Sequence, residues 1–226
     1  MNRSMSSAFT HPKGAIFDLD GTLLDSMHLW KNLARHYLEQ KGITDIDEGL
    51  SNQLKAMSFE EAARYFQAHY GLKENEADIT LGIQAMVEAE YRDKLPLKAG
   101  VLPFLDKLRQ KGVSLCIATA NFPHLTRLAI KRLGIEHYFK AIITCSDLGL
   151  DKDKPEYYLR VLNILKTPLN ETLVFEDALH AVSTAKKAGF PVVAIFDESA
   201  SEDAPAIQGI ADKYLNSFND WEWIEK

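Results

Sequence analysis

Cysteine is nearly missing from this chain of 226 residues, which holds only Cys116 and Cys145. Two are too few for a disulfide framework and match no zinc spacing, so a reducing compartment is expected. A chain of this length buries enough apolar surface to do without covalent ties. Long apolar runs are lacking as well. Nothing approaches a membrane span, and the opening MNRSMSSAFTHPK has no apolar stretch of the signal-peptide kind. A cytoplasmic location without a membrane partner is therefore expected. Positive charge is not in excess: 26 Lys and Arg stand against 32 Asp and Glu, for a net charge of -6. That balance speaks against a nucleic-acid partner, although not against small anionic substrates, because a metal ion or a few fixed cations can reverse the field locally. Repeats and low-complexity segments are absent too.

What is present is an alternation of strand and helix signals. Gly14 to Phe17, Val113 to Ala118, Ala141 to Cys145, Thr172 to Phe175 and Val192 to Phe196 are short, doubly apolar runs. Such runs suit strands buried on both faces of a parallel sheet. Between them, helical patterns end at Gly112, Gly134 and Gly189, and one opens behind Pro155. The expected fold class is α/β with right-handed crossovers.

One stretch breaks the alternation. After the first strand, roughly seventy residues carry no convincing strand, too many for a single crossover helix. Leu29, Trp30, Leu33, Ala34, Tyr37 and Leu38 form a helical stripe. Ser58-Phe59-Glu60-Glu61 reads as a capping box opening a second helix that runs to Gly71. A third is expected over about Asn75 to Lys94. The expected organisation is a core of residues 1–26 and 96–226 with a helical insertion at 27–95.

Chemistry concentrates where strands end. Asp18-Leu19-Asp20-Gly21-Thr22 closes the first strand. Asp-Gly is a turn signal in its own right. Two carboxylates at the end of a buried strand, however, repel each other unless a counter-charge is near, and that edge of an open α/β sheet is where ligands bind. Thr119 ends the second strand, Lys154-Pro155 opens a helix after the third, and Glu176-Asp177 ends the fourth. Each alone is weak, since Thr and Asp commonly cap helices and a lysine is commonly solvated. Their order at successive strand ends makes the set specific.

These motifs resemble those of the haloacid dehalogenase superfamily, in particular its phosphatases and phosphosugar mutases with a helical cap after the first motif. The resemblance runs from Gly14 to about Phe196, with Asp18 to Thr22, Thr119, Lys154 and Glu176-Asp177 at the four motif positions. It implies a Rossmann-like parallel core with an inserted cap that closes over the site, and a small phosphorylated metabolite as substrate. It makes Asp18 the nucleophile that forms an aspartyl phosphate, and Asp20 the general acid and base. A phosphate dianion repels a carboxylate nucleophile, so a cation is needed between them, and Mg²⁺ suits oxygen ligands. The resemblance assigns that ion to the Asp18 carboxylate, the Asp20 backbone carbonyl and Asp177. Thr119 and the Ala120 backbone N–H would hold the phosphoryl oxygens, with Lys154 as the fixed positive charge. Glu176 is left as a support behind the ligands or an alternative ligand. Lys152 is expected to be solvated, because the family places its lysine directly before a proline.

Departures from the family pattern narrow the reaction. Dehalogenating members lack the aspartate at the position of Asp20. Mutases carry a cap histidine where this chain has Trp30, and a cap arginine in a loop resembling Lys55-Ala56-Met57-Ser58-Phe59, where Phe59 replaces it. Hydrolysis is therefore expected, with a β-phosphoglucomutase-type mutase as the alternative and His28 as a surface residue. A silent binding module is disfavoured because nucleophile, acid/base and lysine are all present. Cys116 and Cys145 are expected to be small buried hydrophobes in strands, and Trp221-Glu222-Trp223 to pack on the sheet edge. A monomer or small homo-oligomer is expected.

Overall fold

The computed structural model describes residues 7–54 and 57–223. In chain order the elements are α1 (Ser7–Thr10), β1 (Gly14–Phe17), α2 (Met27–Gln40), α3 (Leu50–Leu54), α4 (Phe59–Tyr70), α5 (Glu76–Asp93), α6 (Val101–Gln110), β2 (Ser114–Thr119), α7 (Pro123–Arg132), β3 (Phe139–Thr144), α8 (Cys145–Leu148), α9 (Pro155–Leu165), β4 (Thr172–Glu176), α10 (Leu179–Lys187), β5 (Val192–Ile195), α11 (Ala204–Ile210) and β6 (Lys213–Leu215), with short 3-10 turns between some of them. No described helix is long and apolar enough to cross a membrane. The chain divides into two compact units, Met1–Met27 with Leu95–Lys226, and His28–Lys94.

The larger unit is a Rossmann-like α/β fold on a six-stranded sheet in the order β3-β2-β1-β4-β5-β6, parallel at every pairing. β1 lies between β2 and β4, with Ile16 level with Cys116 on one side and Val174 on the other. Alternation along these strands sorts two cores. On one face, Ile16, Cys116, Val174 and Val192 pack with Tyr157, Tyr158, Val161 and Leu165 of α9 and with Val182 and Ala185 of α10. On the other, Phe17 and Phe175 stack with ring centroids 4.4 Å apart, and Phe104 of α6 meets them edge-on.

Two expectations are corrected or refined here. Cys145 does not end a strand but opens α8, because Thr144 N-caps that helix in a capping box with Asp147, and the thiol is only half-buried. The C-terminal tryptophans pack on more than the sheet edge: Lys213 Nζ of the edge strand β6 lies 4.8 Å from the Trp221 ring centroid, and the ring also reaches the sheet face. Trp221 is buried against Phe104 and Phe175, centroids 5.4 and 6.1 Å away, extending the aromatic cluster on that face. The sixth strand and α11 carry no signal that the strand and helix patterns above would detect.

The smaller unit is helical. Ser58 caps α4 in the expected box with Glu61, and the helix closes at Gly71 in the left-handed conformation. Asn75 caps α5 through Asp78. Tyr37 of α2 stacks on Phe66 of α4 at 6.0 Å, above a row of buried Ile79, Ile83, Val87 and Tyr91. Gly82 sits in the middle of α5, where glycine costs helix stability, because a β-carbon there would meet the Tyr37 hydroxyl at 2.9 Å. Of the loop 55–59, Lys55 and Ala56 lie outside the described residues.

Candidate active site

The sheet order brings the ends of β2, β1 and β4 side by side, and with them Thr119, Asp18 and Glu176-Asp177. Asp18 continues β1 by one residue, its N–H donating to Phe175 O at 3.0 Å. The chain then folds into a tight loop: Leu23 and Leu24 N–H donate to Leu19 O, and Gly21 N–H to Leu24 O. Gly21 takes φ +78, and a β-carbon on it would fall 2.4 Å from Asp177 Oδ2. Only glycine allows that carboxylate to approach so closely. Thr22, fully buried, donates to Asp177 Oδ1 at 3.1 Å.

Lys152, not Lys154, is the cation of this cluster. Its Nζ lies 2.6 Å from Asp18 Oδ1 and 2.6 Å from Glu176 Oε1, with the side chain 6% exposed. Lys154 is 56% exposed and pairs with Asp153 at 3.1 Å. The expected placement of the two lysines, Lys154 at the site and Lys152 solvated, is therefore reversed. The reason is a turn in which Lys154 N–H donates to Asp151 O at 3.1 Å, so the residue before Pro155 faces outward and the one two places earlier faces in. Tyr158, on the buried side of α9, supports the same carboxylate by donating to Glu176 Oε1 at 2.7 Å. Glu176 thus touches the cluster directly.

Asp20 is held by two partners that sequence reading missed. Ser26 Oγ donates to its Oδ1 at 2.6 Å, and Asn121 Nδ2 donates to its Oδ2 at 2.6 Å. Ser26 precedes α2 and so resembles an ordinary helix cap, while Asn121 looks like part of a loop. The spacing Thr119-Ala120-Asn121 was the available signal, because Asn121 N–H also donates to Thr119 Oγ1 at 3.1 Å. A hydroxyl that accepts from an amide keeps its one hydrogen to donate elsewhere. Thr119 is buried at the strand end and Ala120 is exposed beside it. Tyr157 bonds the Thr119 carbonyl from beneath at 3.3 Å.

The charges do not balance. Among the described residues, Asp18, Glu176 and Asp177 offer oxygens all within 4.8 Å of one another, against the single ammonium of Lys152. Burial, then the charge of Asp18, pushes the Glu176 carboxyl up to about 7 despite Lys152. Burial, then Asp18 and Glu176, pushes Asp177 well up. Burial works against the Lys152 ammonium, but Asp18 and Glu176 outweigh it and leave it above the ordinary lysine value. An oxygen-only, over-negative cluster with a carboxylate cradled against a glycine fits a hard divalent cation.

The sequence pattern of the haloacid dehalogenase-like hydrolases matches residues 15–195. A Thermotoga maritima protein named phosphorylated carbohydrates phosphatase is 25% identical over 177 residues, 78% of this chain and 82% of that one. A Mycobacterium tuberculosis protein named tyrosine-protein kinase PtkA is 30% identical over 194 residues, 85% of this chain and 65% of that one. Among solved structures, a Thermotoga maritima protein described as a candidate beta-phosphoglucomutase superposes with TM-score 0.80 at 23% identity, covering 92% of this chain and 95% of that one. That likeness concerns the fold.

Proposed function

Because the chain belongs to the haloacid dehalogenase-like hydrolases, we propose that it is a phosphatase that hydrolyses the phosphate monoester of a small carbohydrate through an aspartyl phosphate on Asp18. The observation that carries this is the buried Asp18 carboxylate at the sheet edge, paired at 2.6 Å with Lys152 and adjacent to two further carboxylates. The relative named phosphorylated carbohydrates phosphatase supports the substrate class.

In this reading Asp18 attacks phosphorus and the ester oxygen leaves. Asp20 gives that oxygen a proton, then takes one from the water that cleaves the aspartyl phosphate. Ser26 and Asn121 fix the direction of its carboxyl group. Thr119 and the Ala120 N–H receive the phosphoryl oxygens, and Lys152 cancels part of their charge. Asp18, the Asp20 carbonyl and Asp177 would hold Mg²⁺, with Glu176 beside them. Mg²⁺ bound there supplies Lewis-acid neutralisation between two anions.

Hydrolysis is favoured over isomerisation by Trp30. Its indole Nε1 donates to Tyr91 OH at 3.2 Å inside the helical unit, which makes it a packing residue where a mutase has a base. Phe59, half-buried at the start of α4, brings no cation for a second phosphate.

The test is a panel of sugar phosphates assayed for both phosphate release and isomer formation, with Asp18→Asn as control. Phosphate release with Mg²⁺, a hydroxylamine-sensitive phosphoenzyme, and loss of both in the variant are expected. Isomer formed faster than phosphate would replace the hydrolase reading with the mutase. A parallel incubation with ATP and a tyrosine peptide is expected to yield no phosphopeptide.

A further inference from the structure

The loop that carries Asp20 is not self-supporting. Its outer side, Leu23–Asp25, pairs with the returning segment Pro96–Lys98: Lys98 N–H donates to Leu23 O at 2.9 Å, Asp25 N–H to Pro96 O at 3.0 Å, and Leu24 bridges Leu97 antiparallel. On its inner side Leu24 accepts from Gly21 N–H at 3.0 Å and bridges Asp20. Asp20, Leu24 and Lys98 are thus three steps of one hydrogen-bonded ladder.

That ladder ends on a largely buried ion pair. Lys98 Nζ lies 2.7 Å from Asp197 Oδ2, with the side chains 14% and 6% exposed, and donates to Phe196 O at 2.6 Å. The far end is itself fixed. Asp197 Oδ1 accepts from Ser199 N–H and Oγ at 2.9 and 2.7 Å, and Phe196 N–H donates to Leu215 O at 2.8 Å. Burying two charges costs desolvation that an apolar pair of similar volume avoids, so such a pair is weak as a stabilising device. What it provides is one defined position: an ammonium held between a carboxylate and a carbonyl oxygen cannot slide without losing both.

We infer that Lys98 is a positioning residue, whose ion pair with Asp197 ties the two-stranded ribbon of Leu23–Asp25 and Pro96–Lys98 to the end of β5 and so fixes Asp20 for proton transfer. The inference rests on the phosphatase reading for what Asp20 does, and on geometry alone for the tie.

Lys98→Met by itself would strand a buried carboxylate and endanger the fold, so the test is the double variant K98M/D197N. It removes both charges, and the substituted amide oxygen still accepts from Ser199 N–H. The first measurement is hydrogen exchange at the amides of Gly21, Asp25 and Lys98, which is expected to speed up about tenfold or more while β1, β2 and β4 are unchanged. The second compares a sugar phosphate with p-nitrophenyl phosphate, whose leaving group departs without protonation. In the single-turnover release of the alcohol or phenol, which reports formation of the phosphoenzyme alone, the rate for the sugar phosphate is expected to fall about tenfold or more and that for the aryl ester to stay within about threefold, while the later hydrolysis of the aspartyl phosphate slows equally for both. Wild-type exchange at the ribbon amides would overturn the tie. Equal loss of the phosphoenzyme-forming rate on both esters, or loss on neither, would overturn the positioning role. A wild-type protein inert toward both esters would sink the phosphatase reading, and the exchange data would still decide the tie.

Discussion

The ammonium of Lys152 touches the carboxylate of Asp18 at 2.6 Å across 134 residues of sequence. Glu176 takes the same ammonium at 2.6 Å. One cation therefore joins the end of β1, the turn before α9 and the end of β4, and it sits among more carboxylates than it can neutralise.

Lysines 152 and 154 should consequently behave very differently on substitution. Lys152→Met is expected to lower kcat/KM by about 10²–10³-fold, or ~3–4 kcal/mol, as for loss of a preorganised electrostatic group. Lys154→Ala should stay within about twofold, since an exposed pair is worth ~0–1 kcal/mol. Steady-state phosphate release on the best sugar phosphate checks this, and equal effects would refute the assignment of Lys152.

Stability should depend on pH in an uncommon direction when metal is stripped. Glu176 is pushed up to about 7 by burial first and then by Asp18, and Asp177 rises well above its ordinary value. A carboxyl that holds its proton more tightly folded than unfolded stabilises the fold at low pH. That contribution is lost as pH rises from the ordinary carboxylate range through the folded value. The melting temperature of chelator-treated protein is thus expected to fall between about pH 5 and pH 8 from these two groups. Mg²⁺ should flatten the slope, because it binds the ionised cluster only in the folded chain. Calorimetry with and without Mg²⁺ measures it, and an identical slope would count against a metal at these carboxylates.

Gly21→Ala adds one methyl group at the worst place. The residue would be held at φ +78 with its β-carbon 2.4 Å from Asp177 Oδ2, a strain of ~1–3 kcal/mol. The carboxylate has to move. Mg²⁺ affinity, read by titration calorimetry, is expected to fall more steeply than thermal stability does.

Much of this was legible in the residues. Fully buried strands wrote themselves as apolar runs, and Ser58 with Glu61 three residues on marked the start of α4. Asp18, Thr119 and Asp177 were identifiable because each terminates such a run. Lys152 was not, because a side chain's direction out of a turn depends on the Asp151–Lys154 hydrogen bond and not on the neighbouring proline. Ser26 and Asn121 stayed hidden because each also suits a bland local role, and their shared partner Asp20 becomes apparent only when the loops meet. Lys213-Tyr214-Leu215 is too short and too polar to separate from a turn without β5 beside it.

The central place of β1 also sets an order of assembly. During synthesis Gly14–Phe17 emerges before the other five strands, yet one of its two hydrogen-bonding edges stays open until Thr172–Glu176 has been made. Pairings this distant in sequence form slowly, and an apolar strand with an open edge invites association between chains. A ribosome that stalls before residue 172 would release a chain holding the nucleophile but neither Glu176 nor Asp177. Such a fragment is expected to be a substrate for chaperones and proteases, and no partial enzyme.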